Sequence, residues 1–292
     1  MKVQFKQVDV FTDRRFFGNP VAVVLDAASL DQEQMQQFAS WTNLSETTFV
    51  LSPSEEGADY RVRIFTPRAE LPFAGHPTIG TAHAVLEAGI VKPTNGRLVQ
   101  QCAAGLIEVA ISDDGGENRV IAFELPNPKF RSLDPAETDE LKRVLGGPIV
   151  SGFPAAIVDV GPKWVVAQFE SAGAVLALKP DLSRMLTFCE RAGSDGVTVF
   201  GPHTNYGPAS IEVRSFAPAL GVNEDPVCGS GNGSVGAYIR ASEQIDRFGG
   251  RLVSSQGSCI GRDGRIHIEI ETNRPIRIGG RAITCIDGCV YI

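Results

Sequence analysis

The chain has no CxxC pair, no apolar run approaching the roughly 18 residues of a membrane span, no GxxxxGK[ST] loop and no surplus of positive charge. Each absence narrows the function. Six cysteines (Cys102, Cys189, Cys228, Cys259, Cys285, Cys289) are scattered over 292 residues, which speaks against a disulfide framework or zinc site and for a reducing cytoplasm. Lys and Arg number 27 against 34 Asp and Glu, a net charge of −7, so neither nucleic acid nor an anionic membrane is expected as partner. His203 and His267 lack partners at metal-ligand spacing, and no metal is expected. The opening residues Lys2–Val8 alternate as a strand does, not as a signal peptide. The expectation is a soluble, intracellular protein with ample length for two lobes.

What is present is glycine in one place. Residues 223–236 read Asn-Glu-Asp-Pro-Val-Cys-Gly-Ser-Gly-Asn-Gly-Ser-Val-Gly and run into Ala237-Tyr238-Ile239, where a buried helix is expected to begin. Glycine lets a backbone approach a ligand, and a helix mouth offers unpaired N–H groups to an anion. Gly75-His76-Pro77-Thr78-Ile79-Gly80-Thr81-Ala82 matches residues 231–238 in pattern at an offset of 156. Gly231-x-Gly233-x-x-Gly236 also fits a dinucleotide fingerprint. However, no buried strand directly precedes it, and the residues after it read as strands rather than βαβ alternation.

In order, Val3, Phe5, Val8 and Val10 mark a first strand and Val21–Leu25 a second. Ser29 with Gln32 predicts a capped helix through Trp41. Strands are expected at Thr47–Leu51 and Tyr60–Thr66. After a loop over Pro67–Gly75, a helix is expected over His76–Ala88, then strands near Leu98–Cys102, Leu106–Ile111 and Val120–Leu125. Pro126-Asn127-Pro128 reads as a linker. The order then repeats: strands near Ala156–Val160 and Trp164–Phe169, a helix near Leu182–Arg191, and strands near Gly196–Phe200 and Ile211–Phe216. Three more follow near Leu252–Ser255, Arg265–Ile270 and Ala282–Ile292. Arg63-Ile64-Phe65-Thr66-Pro67 is echoed by Arg214-Ser215-Phe216-Ala217-Pro218, 151 residues later, which implies five extra residues in the second copy's loop. The expected class is α+β, with two pseudo-symmetric lobes, each a barrel-like sheet around one helix. The first covers 1–126, with the last strand (about 280–292) possible in it, and the second 127–292; a cleft between them is the expected ligand site.

Several residues stand out as candidates. His76 at a helix start is expected to be neutral, and His83 to be structural. Glu46, in the turn Asn43-Leu44-Ser45-Glu46, is either a solvated surface carboxylate or, facing a cleft, a general base. Asp225 before Pro226 is a turn residue by itself. Cys228 is either a small buried hydrophobe or a thiolate favoured by the helix mouth.

Asn43-Leu44-Ser45-Glu46, Arg63-Ile64-Phe65-Thr66-Pro67, Leu71-Pro72-Phe73-Ala74-Gly75-His76-Pro77 and Glu224-Asp225-Pro226-x-x-Gly229-Ser230-Gly231 together resemble the phenazine-biosynthesis isomerase-like (PhzF-like) family. Asn19-Pro20-Val21-Ala22-Val23 and Gln256-Gly257-x-x-x-Gly261-Arg262 fit as well, so the resemblance spans the chain. It implies the diaminopimelate epimerase-like fold, commonly in a homodimer, and proton-shifting isomerisation of a small carboxylic acid without metal or organic cofactor. The implied catalytic residues are Glu46, His76 and Asp225. Asn19, Ser45, Gly75, Cys228, Gly229, Ser230 and Gly231 are the implied substrate-binding residues. Related epimerases use two opposed cysteines; here Cys228 matches one and Ala74 stands at the other, so a one-base isomerase is expected over two-thiol inversion. An epimerase using Cys228 and a non-catalytic acid-binding protein are the competing readings.

Overall fold

Hydrophobic periodicity here resolves into strands joined by two kinds of helix, one amphipathic and one buried on every side. The computed structural model describes residues 2–112, 119–204 and 207–292. They divide into two compact units, residues 1–123 with 279–292 and residues 124–278, the boundaries falling within the strands Val120–Glu124 and Arg277–Gly280.

In the first unit the strand Lys2–Val10 pairs antiparallel with Asn19–Val24 on one side and with the last strand, Ala282–Tyr291, on the other. Asn19–Val24 runs parallel to Thr47–Leu51, Ala22 opposite Thr47, and the helix Gln32–Thr42 makes the crossover. That helix is amphipathic. It sets Met35, Phe38 and Ala39 against Val24, Phe49 and Phe65, and each such large apolar side chain contributes roughly 1.5–3 kcal/mol on burial. Its cap is not the expected Ser29. Asp31 accepts from the Gln34 amide at 2.9 Å and Gln34 Oε1 accepts from the Asp31 amide at 3.0 Å, a reciprocal capping box two residues further on. Thr47–Leu51 then pairs antiparallel with Tyr60–Phe65, which runs parallel to Arg97–Cys102 across the helix Gly75–Glu87. Nine residues of this second helix are buried, from His76 to Val85. It is a core helix wrapped by its sheet.

The second unit repeats the plan. Lys163–Gln168 runs parallel to Gly196–Pro202 across the helix Leu182–Ala192, and Ile211–Ala217 runs parallel to Arg251–Gln256 across the central helix Gly229–Ala241. The two central helices are each 13 residues long and start 154 positions apart, whereas the preceding Arg63 and Arg214 are 151 apart. The second copy therefore carries three extra residues, around the turn Pro218–Leu220, rather than five. A shared ion pair confirms this register. Arg63 donates to both carboxylate oxygens of Glu70 (2.7 and 2.6 Å), and Arg214 to both of Glu224 (2.9 and 2.9 Å).

Two elements differ from the expectation just after the proline linker. Lys129–Ser132, read only as chain following that linker, is an exposed strand paired with Ala156–Asp159. Pro135–Leu145 is a helix, opened by an Asp134–Glu137 capping box with Pro135 in its first turn and closed by Gly146 in the left-handed region. It buries Leu141, Val144 and Leu145. No helix among the described residues is long and apolar enough to cross a membrane.

Candidate active site

The first central helix begins essentially where expected, at Gly75, but the expectation of a glycine loop running up to Ala237 ahead of the second is corrected by the fold. The helices begin at Gly75 and Gly229, so Gly231, Gly233 and Gly236 lie inside the first turns. Glycine is a poor helix former, which is why such a stretch reads as loop; tertiary packing overrides the propensity. A Cβ on Gly231 would sit 2.5 Å from Ser215 Oγ and 2.8 Å from Thr198 Oγ1, and one on Gly233 would strike Leu125. A dinucleotide fingerprint needs its glycines between a parallel strand and the helix. Here the strand before the helix, Val222–Asp225, is short and pairs antiparallel with Ile211–Ala217.

In the first unit, Glu46 is the last residue before the strand Thr47–Leu51. The turn that places it is fixed by Asn43 in the left-handed region and by a 3.1 Å contact between the Thr42 and Thr47 hydroxyls. The parallel register of Thr47 beside Ala22 keeps Glu46 next to the Asn19-Pro20 corner, and the Ala22 amide donates to the Glu46 carbonyl. The Glu46 side chain is 17 % exposed and that of His76 9 %, and Glu46 Oε2 lies 3.4 Å from His76 Nε2. Among the described residues neither atom has a hydrogen-bond partner. His76 also hydrogen-bonds the Pro20 backbone. Proline offers only a carbonyl, and Nε2 is unpartnered, so Nδ1 carries the proton it donates there. Burial holds the imidazole pKa below its usual value, against the opposing pull of Glu46 and the Pro20 carbonyl. A neutral His76 therefore turns a bare lone pair toward a carboxylate.

Behind it, the helix Gly75–Glu87 has no side-chain cap and no acidic residue in its first turn, so its positive end is left uncompensated by its own residues. A Cβ on Gly75 would sit 2.6 Å from Phe123 Cζ. Ser45 is exposed on the turn beside Glu46, and Asn19 is buried at the start of its strand.

In the second unit, Asp225, Cys228, Gly229, Ser230 and Gly231 form one contiguous helix mouth. Asp225 Oδ1 accepts from the Val227 amide at 3.0 Å. Cys228 is the N-cap, and its Sγ accepts from the Gly231 amide at 3.3 Å, so that amide is already engaged. Burial, then the nearby Asp225 charge, push the thiol pKa well above its usual value. Desolvation outweighs the helix terminus, and Cys228 is a thiol rather than a thiolate. Trp164, without any signal in the motifs, donates its indole N–H to Ser230 Oγ at 3.0 Å. The remaining histidines lie elsewhere: His83 beside Thr284 and Glu87, His203 beside Ser255 and Glu212, and His267 on the strand Gly264–Glu269.

Comparison with known proteins places the chain in a family. The family model described as phenazine biosynthesis-like protein matches residues 8–288. The chain is 45 % identical to antisense-enhancing sequence 1 of Schizosaccharomyces pombe, over 99 % of this chain and 98 % of the relative. It is 33 % identical to trans-2,3-dihydro-3-hydroxyanthranilate isomerase of Pseudomonas aeruginosa, covering 98 % of both. A crystal structure of a PhzF-family phenazine biosynthesis protein from Bacillus anthracis superposes with a TM-score of 0.88 at 26 % identity, covering 100 % of both chains. The chain belongs to the phenazine biosynthesis-like family. Its fold is the diaminopimelate epimerase-like one that the motifs imply.

Proposed function

We propose that this protein is an isomerase that moves a proton between carbons of a small carboxylic acid, with Glu46 as the base that removes and returns it. The observation that carries this reading is the buried pair Glu46 Oε2 and His76 Nε2, 3.4 Å apart and each without a hydrogen-bond partner among the described residues. Such a pair gains most when a proton arrives. Glu46 takes it from a carbon next to an unsaturated system, and the electron pair left behind delocalises toward the substrate carboxylate. Protonated Glu46 then donates to His76 Nε2, which holds the proton for return to another carbon. Atoms and charge balance, and no step calls for a metal or an organic cofactor.

In the second unit we assign Asp225 to substrate positioning and proton traffic. The amides of Gly229 and Ser230 and the Ser230 hydroxyl are assigned to the carboxylate. Asn19, Ser45 and Gly75 are the assigned substrate contacts of the first unit. The similarity to a dihydro-hydroxyanthranilate isomerase supports a cyclic or aromatic-precursor acid as substrate. The working form is proposed to be a cytoplasmic homodimer. Two-thiol inversion is disfavoured, since the N-cap matching Cys228 in the first unit is Ala74, which carries no thiol.

Incubation with a panel of small unsaturated carboxylic acids in deuterated water tests the reading. The expected result is deuterium at a second carbon of one acid together with a shifted double bond. Deuterium confined to a single inverted centre, and lost in Cys228→Ala, would overturn it in favour of epimerisation.

A further inference from the structure

Gln256 is the last residue of the strand Arg251–Gln256, and Gly257 follows it. Gln256 is 2 % exposed. Its Oε1 accepts from the Cys228 amide at 3.2 Å and from Asn232 Nδ2 at 2.8 Å, and its Nε2 donates to the Asp225 carbonyl at 2.9 Å. The orientation of this amide is not arbitrary. A backbone N–H only donates and a backbone carbonyl only accepts, so Cys228 and Asp225 fix which end of Gln256 is oxygen. Asn232 completes the network by donating to the Cys228 carbonyl at 2.9 Å and accepting from Ser254 Oγ. Gly257 sits in the left-handed region at φ +99, where a Cβ would lie 2.5 Å from the Pro226 carbonyl oxygen. One buried amide thus grips both ends of the turn Asp225-Pro226-Val227-Cys228, and the glycine after it makes room for the middle.

We propose that Gln256 is a positioning residue: it holds the Asp225–Cys228 turn so that the Asp225 carboxylate and the helix mouth at Cys228 keep their places. The proposal rests on the assignment of Asp225 and the Cys228 mouth to the site, but its test does not need the substrate. Gln256→Met keeps length and volume and removes all three hydrogen bonds. Gln256→Glu is conditional. As a carboxylic acid it can donate to the Asp225 carbonyl and accept from Cys228, whereas as a carboxylate it turns a lone pair on that carbonyl. Asp225 and Cys228 are titratable groups beside it, and Arg262 packs against the adjoining Gly257.

The experiment is site-resolved alkylation of the full-length protein with iodoacetamide, read by peptide mass spectrometry. Cys189, fully buried in another part of the same unit, is the internal reference. Gln256→Met is expected to raise Cys228 alkylation at least about tenfold over wild type while Cys189 is unchanged, because buried hydrogen bonds of this kind hold local opening in check. Gln256→Glu is expected to match wild type at acid pH and Gln256→Met at alkaline pH, each referred to wild type at the same pH. Equal Cys228 rates in wild type and Gln256→Met would overturn the proposal. So would a joint rise at Cys189 and Cys228 with a lowered melting temperature and no acid rescue in Gln256→Glu, which is the signature of a merely structural role. If the thiol responds as expected yet no acid exchanges protons in the wild type, the positioning role stands and the isomerase reading fails.

Discussion

His76 Nδ1 donates its N–H to the Pro20 carbonyl in a hydrogen bond, which leaves Nε2 of the neutral ring to face Glu46 with its lone pair. From this follows a pH dependence. Protonating His76 would place an N–H against Glu46 Oε2 and tie the carboxylate into an ion pair, weakening it as a base. Burial lowers the imidazole pKa from 6.5, so the ring stays neutral further into the acid range than an exposed histidine does. The acid limb of activity assigned to His76 is therefore expected below pH 6.5. A pH–rate profile of kcat/KM checks this, with His76→Gln expected to remove that limb. A limb at or above 6.5 that His76→Gln abolishes would contradict it.

The Trp164–Ser230 hydrogen bond supplies an optical probe. The chain has two tryptophans, Trp41 at 79 % exposure and Trp164 at 3 %. In a Trp41→Phe background the emission comes from Trp164 alone, whose N–H can only donate; the Ser230 proton then faces Cys228 Sγ at 3.6 Å until an anion takes it. Titration with a carboxylate substrate is expected to shift that emission. Ser230→Ala is expected to weaken binding by roughly 10- to 100-fold, the worth of one hydrogen bond to a charged group.

Gly231→Ala is expected to destabilise by about 1–3 kcal/mol, since the new methyl would press on the buried hydroxyls of Ser215 and Thr198. Gly173→Ala is the control. Its Cβ would approach nothing nearer than Ser171 Oγ at 3.7 Å, and it lies in the short helix Ala172–Leu176, so a neutral or slightly stabilising effect is expected. Urea denaturation of both variants measures the contrast.

The repeated ion pairs are not equal. Arg214 and Glu224 have side chains 7 % and 12 % exposed, against 19 % and 29 % for Arg63 and Glu70. Arg214 also donates to the carbonyls of Val175 and Leu178. Glu224→Ala leaves a buried guanidinium uncompensated and is expected to cost about 3–5 kcal/mol. Glu70→Ala is expected to cost less, because water reaches its arginine more readily. Melting temperatures of the two variants give the order.

Where local pattern and tertiary packing agree, the sequence was legible. The helix through Trp41 and the strands around it follow from apolar periodicity, and the paired Arg-x-Phe segments disclose the repeat. The start of the second central helix was harder, because Gly229, Gly231 and Gly233 lower helix propensity, and only the crowding of Gly231 by Ser215 and Thr198 and of Gly233 by Leu125 explains those glycines. The helix Pro135–Leu145 carries a readable signature in Asp134, Pro135, Glu137 and Gly146, but the adjacent proline linker masks it. The motif naming Glu46 and the motif naming His76 are 30 residues apart. Their proximity depends on the parallel register of Thr47 beside Ala22, which no local pattern encodes. The same holds for the Gln256 grip on Asp225 and Cys228, made by residues 28 or more positions apart.

The central claim is that a single carboxylate carries the proton. Glu46→Gln keeps size and polarity but cannot take a proton, and solvent deuterium exchange into the substrate measures the loss directly. The account predicts a fall of about 10²–10⁴-fold with substrate binding retained. Exchange in Glu46→Gln at the wild-type rate would contradict it.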